Sequence, residues 1–272
     1  MLSCEMKKIS VLCTSLCLLF INSCSRQNDP VPEEKGKIIV LMYHRIVKGE
    51  ASNLYERSVD DLETDLKYLK ENNVRILNFN DLEAITISSE MPDGNSAILT
   101  FDDGDHSWYT LVRPLLLKYR VKATFFLWTY IIGHDSFLTW DEVAEMSNYT
   151  LSGEDRPFTF GSHSYSHQYL YRNKGGFANS TEYNAFLDYE LGKSKEIIEK
   201  YVPGSVTVLA LPFGDGAGDL EIIAAAQRNG YKFIRTSKWG AIENSDLDLF
   251  FIPSLPMLDT TESELIGSYL GL

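Results

Sequence analysis

The stretch Ala97-Ile98-Leu99-Thr100-Phe101-Asp102-Asp103-Gly104 constrains this chain more than any other. Its apolar, β-favouring run reads as a buried strand of a parallel sheet. It ends on two adjacent carboxylates and a glycine, and Gly104 lets the chain turn sharply there. Carboxylates this close repel one another unless something positive lies between or beside them. A divalent cation meets that need, and His163 and His167, spaced H-x-x-x-H, offer two further ligands. Four apart, the two imidazoles would share a face on a helical turn. The residues read as a metal held by Asp103, His163 and His167, with Asp102 left free to move a proton. Two imidazoles and one carboxylate leave a coordination position open for water, as a catalytic zinc site requires.

Strands and helices alternate from residue 37 onward. The hydrophobic pattern predicts strands over 37–43, 74–77, 97–101, 123–128, 158–162, 205–211, 232–236 and 249–252. It predicts helices over 58–71, 108–119 with a possible kink at Pro114, 139–146, 182–200, 219–228 and 262–269. Such alternation means a parallel sheet covered by helices, and seven or eight strands point to a closed barrel. His44, Asp102-Asp103, His163 and Phe213-Gly214 each follow the end of a predicted strand. In a (β/α) barrel those ends converge on one mouth, where the chemistry sits.

The N-terminus is read as targeting rather than fold. Lys7 and Lys8 precede an apolar run over 9–21, the length of a signal-peptide core and short for a membrane span. Ile21-Asn22-Ser23-Cys24 then resembles a bacterial lipoprotein cleavage box, with ordinary signal cleavage nearby as the alternative. This divides the chain into a leader, 1–23, a polar, Pro-rich tether, 24–36, and one domain, 37–272. Lipidation of Cys24 would anchor that domain to a bacterial membrane, at the periplasmic or outer face. All four cysteines (Cys4, Cys13, Cys17 and Cys24) lie at or before the cleavage point, so the domain carries no disulfide. The whole chain carries −13, and its leader holds Glu5 against Lys7 and Lys8, so the remainder is one charge more negative. That balance argues against nucleic acid and anionic glycan as partners and suits a neutral, N-acetylated sugar.

Two motifs carry a family resemblance. Thr100-Phe101-Asp102-Asp103-Gly104 and His163-Ser164-Tyr165-Ser166-His167 resemble the first two motifs of the NodB-type polysaccharide deacetylases, carbohydrate esterase family 4. The likeness spans roughly residues 37–255. Leu41-Met42-Tyr43-His44-Arg45-Ile46 is similar to the branch that deacetylates poly-N-acetylglucosamine. The resemblance implies a distorted (β/α) barrel of about seven parallel strands and a divalent metal, zinc foremost. It also implies hydrolysis of N-acetyl groups on an N-acetylglucosamine-containing polysaccharide. Asp102 becomes the base. Leu211-Pro212-Phe213-Gly214 resembles the third motif, which makes the Phe213 amide an oxyanion donor.

The chain departs from the family in two places. Where the family commonly has an arginine two before the proline, to steer the base, this chain has Ala210. Arg45 and Arg235 are the candidates to replace it. No histidine follows His167, so the acid that protonates the leaving amine falls to His44. Without such an acid the chain would suit an O-acetyl ester, whose leaving group is easier to expel, or would be an inactive glycan-binding lipoprotein. His106 is a rim candidate, His134 a surface residue, and Trp239 either a wall for the acetyl methyl or a core residue.

Overall fold

The computed structural model describes residues 35–152, 155–244 and 247–272. The leader, Cys24 and nearly all of the tether lie outside the described residues. Among those described, no helix is long and apolar enough to cross a membrane.

The strands are β1 (Ile38–Tyr43), β2 (Arg45–Val47), β3 (Glu56–Ser58), β4 (Arg75–Leu77), β5 (Ser96–Asp103), β6 (Ala123–Leu127), β7 (Phe158–Ser162), β8 (Val208–Ala210), β9 (Phe233–Arg235), β10 (Ala241–Ile242) and β11 (Leu255–Pro256). The helices are α1 (Val59–Glu71), α2 (Phe79–Ser88), α3 (Arg113–Tyr119), α4 (Trp140–Asn148), α5 (Ser180–Ile198), α6 (Leu220–Arg228) and α7 (Glu264–Leu270). The main sheet runs β10-β1-β5-β6-β7-β8-β9, and every pair is parallel except β1 with β10. Strand β4 takes the first half of one edge of β5 and β6 takes the second. The result is the mostly parallel, curled sheet of a distorted (β/α) barrel.

The seam is crossed by one stretch. Ile234 N–H donates to Leu249 O at 2.9 Å and Thr236 N–H to Ile252 O at 2.8 Å, which lays this stretch along β9. A few residues on, β11 pairs with β1, and Met257 N–H donates to Met42 O at 2.9 Å. The strand expected over 249–252 is therefore only a bridge at Ile252 to Arg235, and the regular pairing falls at β11. Four other features differ from the sequence reading. Helix α2, capped by Asn78 with a reciprocal bond to Asp81, was not anticipated, nor were the β2–β3 ribbon and β10. The helix expected over 108–119 opens as a wider π turn at Trp108–Val112, and Pro114 sits in the first turn of α3 rather than inside a continuous helix. That first turn needs no N–H from proline.

Alternation along the strands makes two cores. Ile39, Leu41, Tyr43, Leu99, Phe101 and Phe125 pack outward against the helices. Ile38, Val40, Ile98, Phe126, Val208, Ala210 and Phe233 pack inward, in the barrel. Period-two alternation continues that inward row to Met42, Asp102 and Arg235 at the strand ends. Positions that close the barrel below thus aim polar side chains into its mouth above. On the outer side Trp108 is fully buried, and its Nε1–H donates to His44 O at 2.9 Å, fixing the end of β1.

A buried ionic cluster ties the N-terminal elements to the C-terminal stretch. Arg57 grips Asp65 with two bonds of 2.7 Å and donates to Leu258 O and Thr261 O. Tyr43 and Ser263 hydroxyls also donate to Asp65. Removing one partner of such a pair strands the other charge in a dry interior. Asp65→Ala is expected to lose about 3–5 kcal/mol of unfolding free energy, checked by urea denaturation; a loss below about 1 kcal/mol would contradict this role.

Candidate active site

Strand β5 delivers two carboxylates to different surroundings. Asp102 keeps strand geometry and points inward. Asp103 has φ 92°, a conformation unusual for a side-chain-bearing residue, followed by Gly104 at φ 101°. A Cβ on Gly104 would come within 2.4 Å of the Ile132 side chain, so the turn needs glycine for space as well as for φ.

Asp103, His163 and His167 come together. Their ligand atoms all lie within 4.8 Å of one another. His167 Nε2 stands 3.4 Å and His163 Nε2 3.6 Å from Asp103 Oδ1. These are not ion pairs: burial drives His163 down to about 3 and His167 to about 4, so both rings are neutral at ordinary pH. His163 Nδ1 lies 2.9 Å from the carbonyl of Ala210, which can only accept, so the proton is on Nδ1 and the Nε2 lone pair faces Asp103. His167 Nε2 is buried without a partner. Burial and the neighbouring Asp102 charge push Asp103 up to about 7. Two neutral imidazoles facing a carboxylate that burial penalises are a donor set that suits a divalent cation.

The histidines do not reach this arrangement on a helical turn, as the spacing suggested. They follow β7 in a loop where Ser164 and His167 take φ of 60° and 58°. Left-handed residues at both places fold the short loop back so that the two rings meet, with centroids 4.7 Å apart.

Asp102 is 2% exposed, and one of its oxygens, Oδ2, accepts from Arg235 Nη2. The other oxygen, Oδ1, is buried without a partner. Burial pushes the carboxyl up, but the charge and hydrogen bond of Arg235 pull it further the other way, so it lies below the ordinary value and is ionised. Arg235 is itself buried, lies over the Phe126 ring at 5.2 Å and also reaches Met42 Sδ. Of the two arginines considered for this task, Arg235 performs it. Arg45 instead lies largely outside, against Glu56 at 3.2 Å and Asp105 at 3.6 Å. Arg235 is the direct parallel partner of Ala210 across β8 and β9. The arginine missing from one strand thus stands beside the gap, on the next.

The remaining expectations divide. His44 is half-buried at the mouth, its Nδ1 without a partner and its ring against Tyr55 at 5.3 Å. Burial lowers its pKa. Phe213 has φ 57° in a tight turn whose bonds join Gly214 N–H to Leu211 O and Asp215 N–H to Pro212 O; neither uses the Phe213 amide. Its ring packs on His167 at 4.5 Å and Tyr169 at 4.2 Å. A cavity of about 620 Å³ joins Asp102, Asp103, His163, His167, His44 and Phe213. Trp239 lines it from solvent, not from the core, and Tyr55 faces it too; both rings are more than half exposed. Tyr55 was not singled out in sequence, because the Glu56–Ser58 strand that follows it carries no signal of its own there. His106 does not line this cavity and pairs with Glu142 at 3.0 Å, while His134 is exposed near Tyr130.

Arg235→Leu would leave Asp102 charged and unpartnered in the barrel. It is expected to lose about 3–5 kcal/mol in urea denaturation, whereas the exposed Arg45→Ala should lose under about 1 kcal/mol. Equal small losses would remove Arg235 from this role.

Comparison with known proteins agrees with this geometry. A family model described as polysaccharide deacetylase matches residues 89–234. The chain is 27% identical over 266 residues to the poly-β-1,6-N-acetyl-D-glucosamine N-deacetylase of Staphylococcus epidermidis, covering 91% of this chain and 88% of that one. Among solved structures it resembles the Streptococcus pyogenes deacetylase PplD in complex with acetate, at 23% identity and a TM-score of 0.73. The likeness covers 87% of this chain and 99% of PplD. It also resembles IcaB from Ammonifex degensii, at 18% identity and a TM-score of 0.71, covering 88% and 99%. Motifs, barrel and family model agree, and the chain belongs to the polysaccharide deacetylase family, whose members are hydrolases.

Proposed function

We propose that the chain is a divalent-metal-dependent enzyme removing N-acetyl groups from an N-acetylglucosamine polymer of the bacterial envelope. One observation carries the reading. Three neutral or repelled ligand atoms converge beside a buried carboxylate, Asp102, whose second oxygen has no partner. The substrate class is supported by the Staphylococcus epidermidis relative, named for poly-β-1,6-N-acetyl-D-glucosamine.

Asp103, His163 and His167 hold the ion, and zinc suits a set of two imidazoles and one carboxylate. When bound it supplies Lewis acidity toward water and the acetyl carbonyl. Asp102 Oδ1 accepts the proton of the attacking water, while Arg235 holds the opposite oxygen and keeps the carboxylate ionised. The Phe213 amide donates to the oxygen that gains charge. His44 passes a proton to the leaving nitrogen, and its lowered pKa makes it a readier donor once protonated. Tyr55 and Trp239 offer exposed ring faces on which a sugar can stack. The leader pattern at Ser23-Cys24 supports a lipid anchor and an envelope location.

Asp102→Asn should retain metal content while acetate release from oligomeric N-acetylglucosamine falls about 10²–10⁴-fold. His167→Ala should lose metal and activity together, and a chelator should abolish turnover of the wild type. Substantial turnover by Asp102→Asn removes the base assignment, and full metal occupancy in His167→Ala removes the ligand assignment. Release from O-acetylated but not N-acetylated glycans would point to an esterase. In bacterial cells, Cys24→Ala should shift the protein from the membrane fraction to the soluble fraction; an unchanged membrane fraction overturns the lipid anchor.

A further inference from the structure

Helix α5 buries Tyr183, Leu187, Glu190, Leu191, Ser194 and Ile198 along one face. That spacing is an ordinary apolar stripe, interrupted by an acid and a hydroxyl. A glutamate only 3% exposed is unusual, and none of the described Lys, Arg or His side chains forms an ion pair with it. Its partners lie in the loop that carries both histidines. Glu190 Oε2 accepts from Ser166 N–H at 2.8 Å, and Oε1 accepts from the Ser166 hydroxyl. The carbonyl of Glu190 accepts from Tyr165 N–H at 3.0 Å. One turn on, Ser194 Oγ meets Ser162 Oγ at 2.7 Å. Ser162 Oγ accepts from Ser164 N–H and Ser164 Oγ from His167 N–H, each at 3.1 Å.

We infer that Glu190, with Ser194, is a positioning residue for the metal-ligand loop: α5 grips residues 162–167 so that His167 faces Asp103. The loop cannot hold itself in this shape by backbone preference. Ser164 and His167 both sit at positive φ, a region that side-chain-bearing residues leave when nothing retains them. No regular strand or helix spans them. Every bond just described runs from this loop to α5 or to a serine of the loop that α5 holds. The two ends of the grip lie four residues apart on α5, one turn of the same face. A glutamate, unlike a serine, reaches both the N–H and the hydroxyl of Ser166, the residue directly before His167. Groups that orient ligands from behind typically change metal affinity about 10- to 100-fold when removed.

The inference rests on the metal reading above, and the experiment separates the two. Metal-free protein is titrated with Zn²⁺ by calorimetry, and its urea stability is measured in parallel. Wild-type protein that takes up no zinc overturns the metal reading itself. With wild-type binding established, Glu190→Ala should weaken zinc affinity at least about 10-fold. Glu190→Gln, which keeps an acceptor for Ser166 N–H, should recover part of it. Ile198→Ala is the control for stability alone. It lies on the same buried face, two turns and about 12 Å further along the helix. It should lose stability and keep wild-type zinc affinity. Wild-type affinity in both Glu190 variants overturns the inference. So does a loss in Ile198→Ala matching that in Glu190→Ala, because the effect would then follow stability rather than the loop. Should Glu190→Ala fail to fold, Glu190→Gln and Ser166→Ala carry the comparison.

Discussion

One peptide bond separates two carboxylates that need opposite electrostatic treatment. Side by side in a buried mouth they cannot both be ionised without a nearby positive charge. Among the described residues, Arg235 is the buried cation at that mouth, and its Nη2 donates to Asp102. Asp102 is therefore held ionised while Asp103 is pushed up to about 7 by burial and its neighbour. This inequality divides the labour of the site. The carboxylate with a protein cation keeps its charge and can take a proton. The carboxylate without one stands against two neutral imidazoles, a donor set that suits a divalent cation.

The curled parallel sheet makes that inequality geometric. Inward-facing residues alternate with outward-facing ones along each strand, so Asp102 follows Ile98 and Thr100 into the barrel. Asp103 would face the helices if β5 simply continued. Its positive φ and the turn at Gly104 bring it back over the mouth instead. Trp108, bonded to the carbonyl of His44, locks the neighbouring strand end from behind. The ends of β1, β5, β7, β8, β9 and β11 then meet around one cavity, although they come from far apart in the chain.

Much of this was legible before any coordinates, and the reasons are physical. The apolar run before Asp102 is long and bounded by glycine, so its strand character is unambiguous. Helices α1 and α6 carry strong apolar periodicity, and α1, α5 and α6 all carry side-chain caps, which mark where they begin. Short elements failed for the converse reason. Helix α2 buries only Phe79 and Leu82, so its signal was the Asn78–Asp81 cap alone. The two-residue strands β10 and β11 exist because β1 offers an open edge, a fact about the partner rather than about their own residues. The H-x-x-x-H spacing showed that the histidines could meet but not how. A helical turn and a left-handed loop satisfy the same spacing, and the bonds that choose between them come from distant segments, residues 127–130 and α5.

The exchange at Ala210 shows what a motif can conceal. A motif fixes side chains along one strand, whereas a buried, ionised carboxylate needs a guanidinium at one place in space. Two parallel strands paired in register present neighbouring inward positions at almost the same height, so an arginine can move sideways by one strand and still reach Asp102. Ala210 and Arg235 are such a pair. The move also requires the vacated position to be small. Two inward arginines would crowd one another and add an unpaired buried charge, which a dry interior penalises heavily. Alanine is therefore the complement of Arg235 rather than a sign of decay. Its backbone keeps a second task that no side chain there could replace, since the Ala210 carbonyl accepts the hydrogen bond from His163 Nδ1–H and turns the other nitrogen toward Asp103.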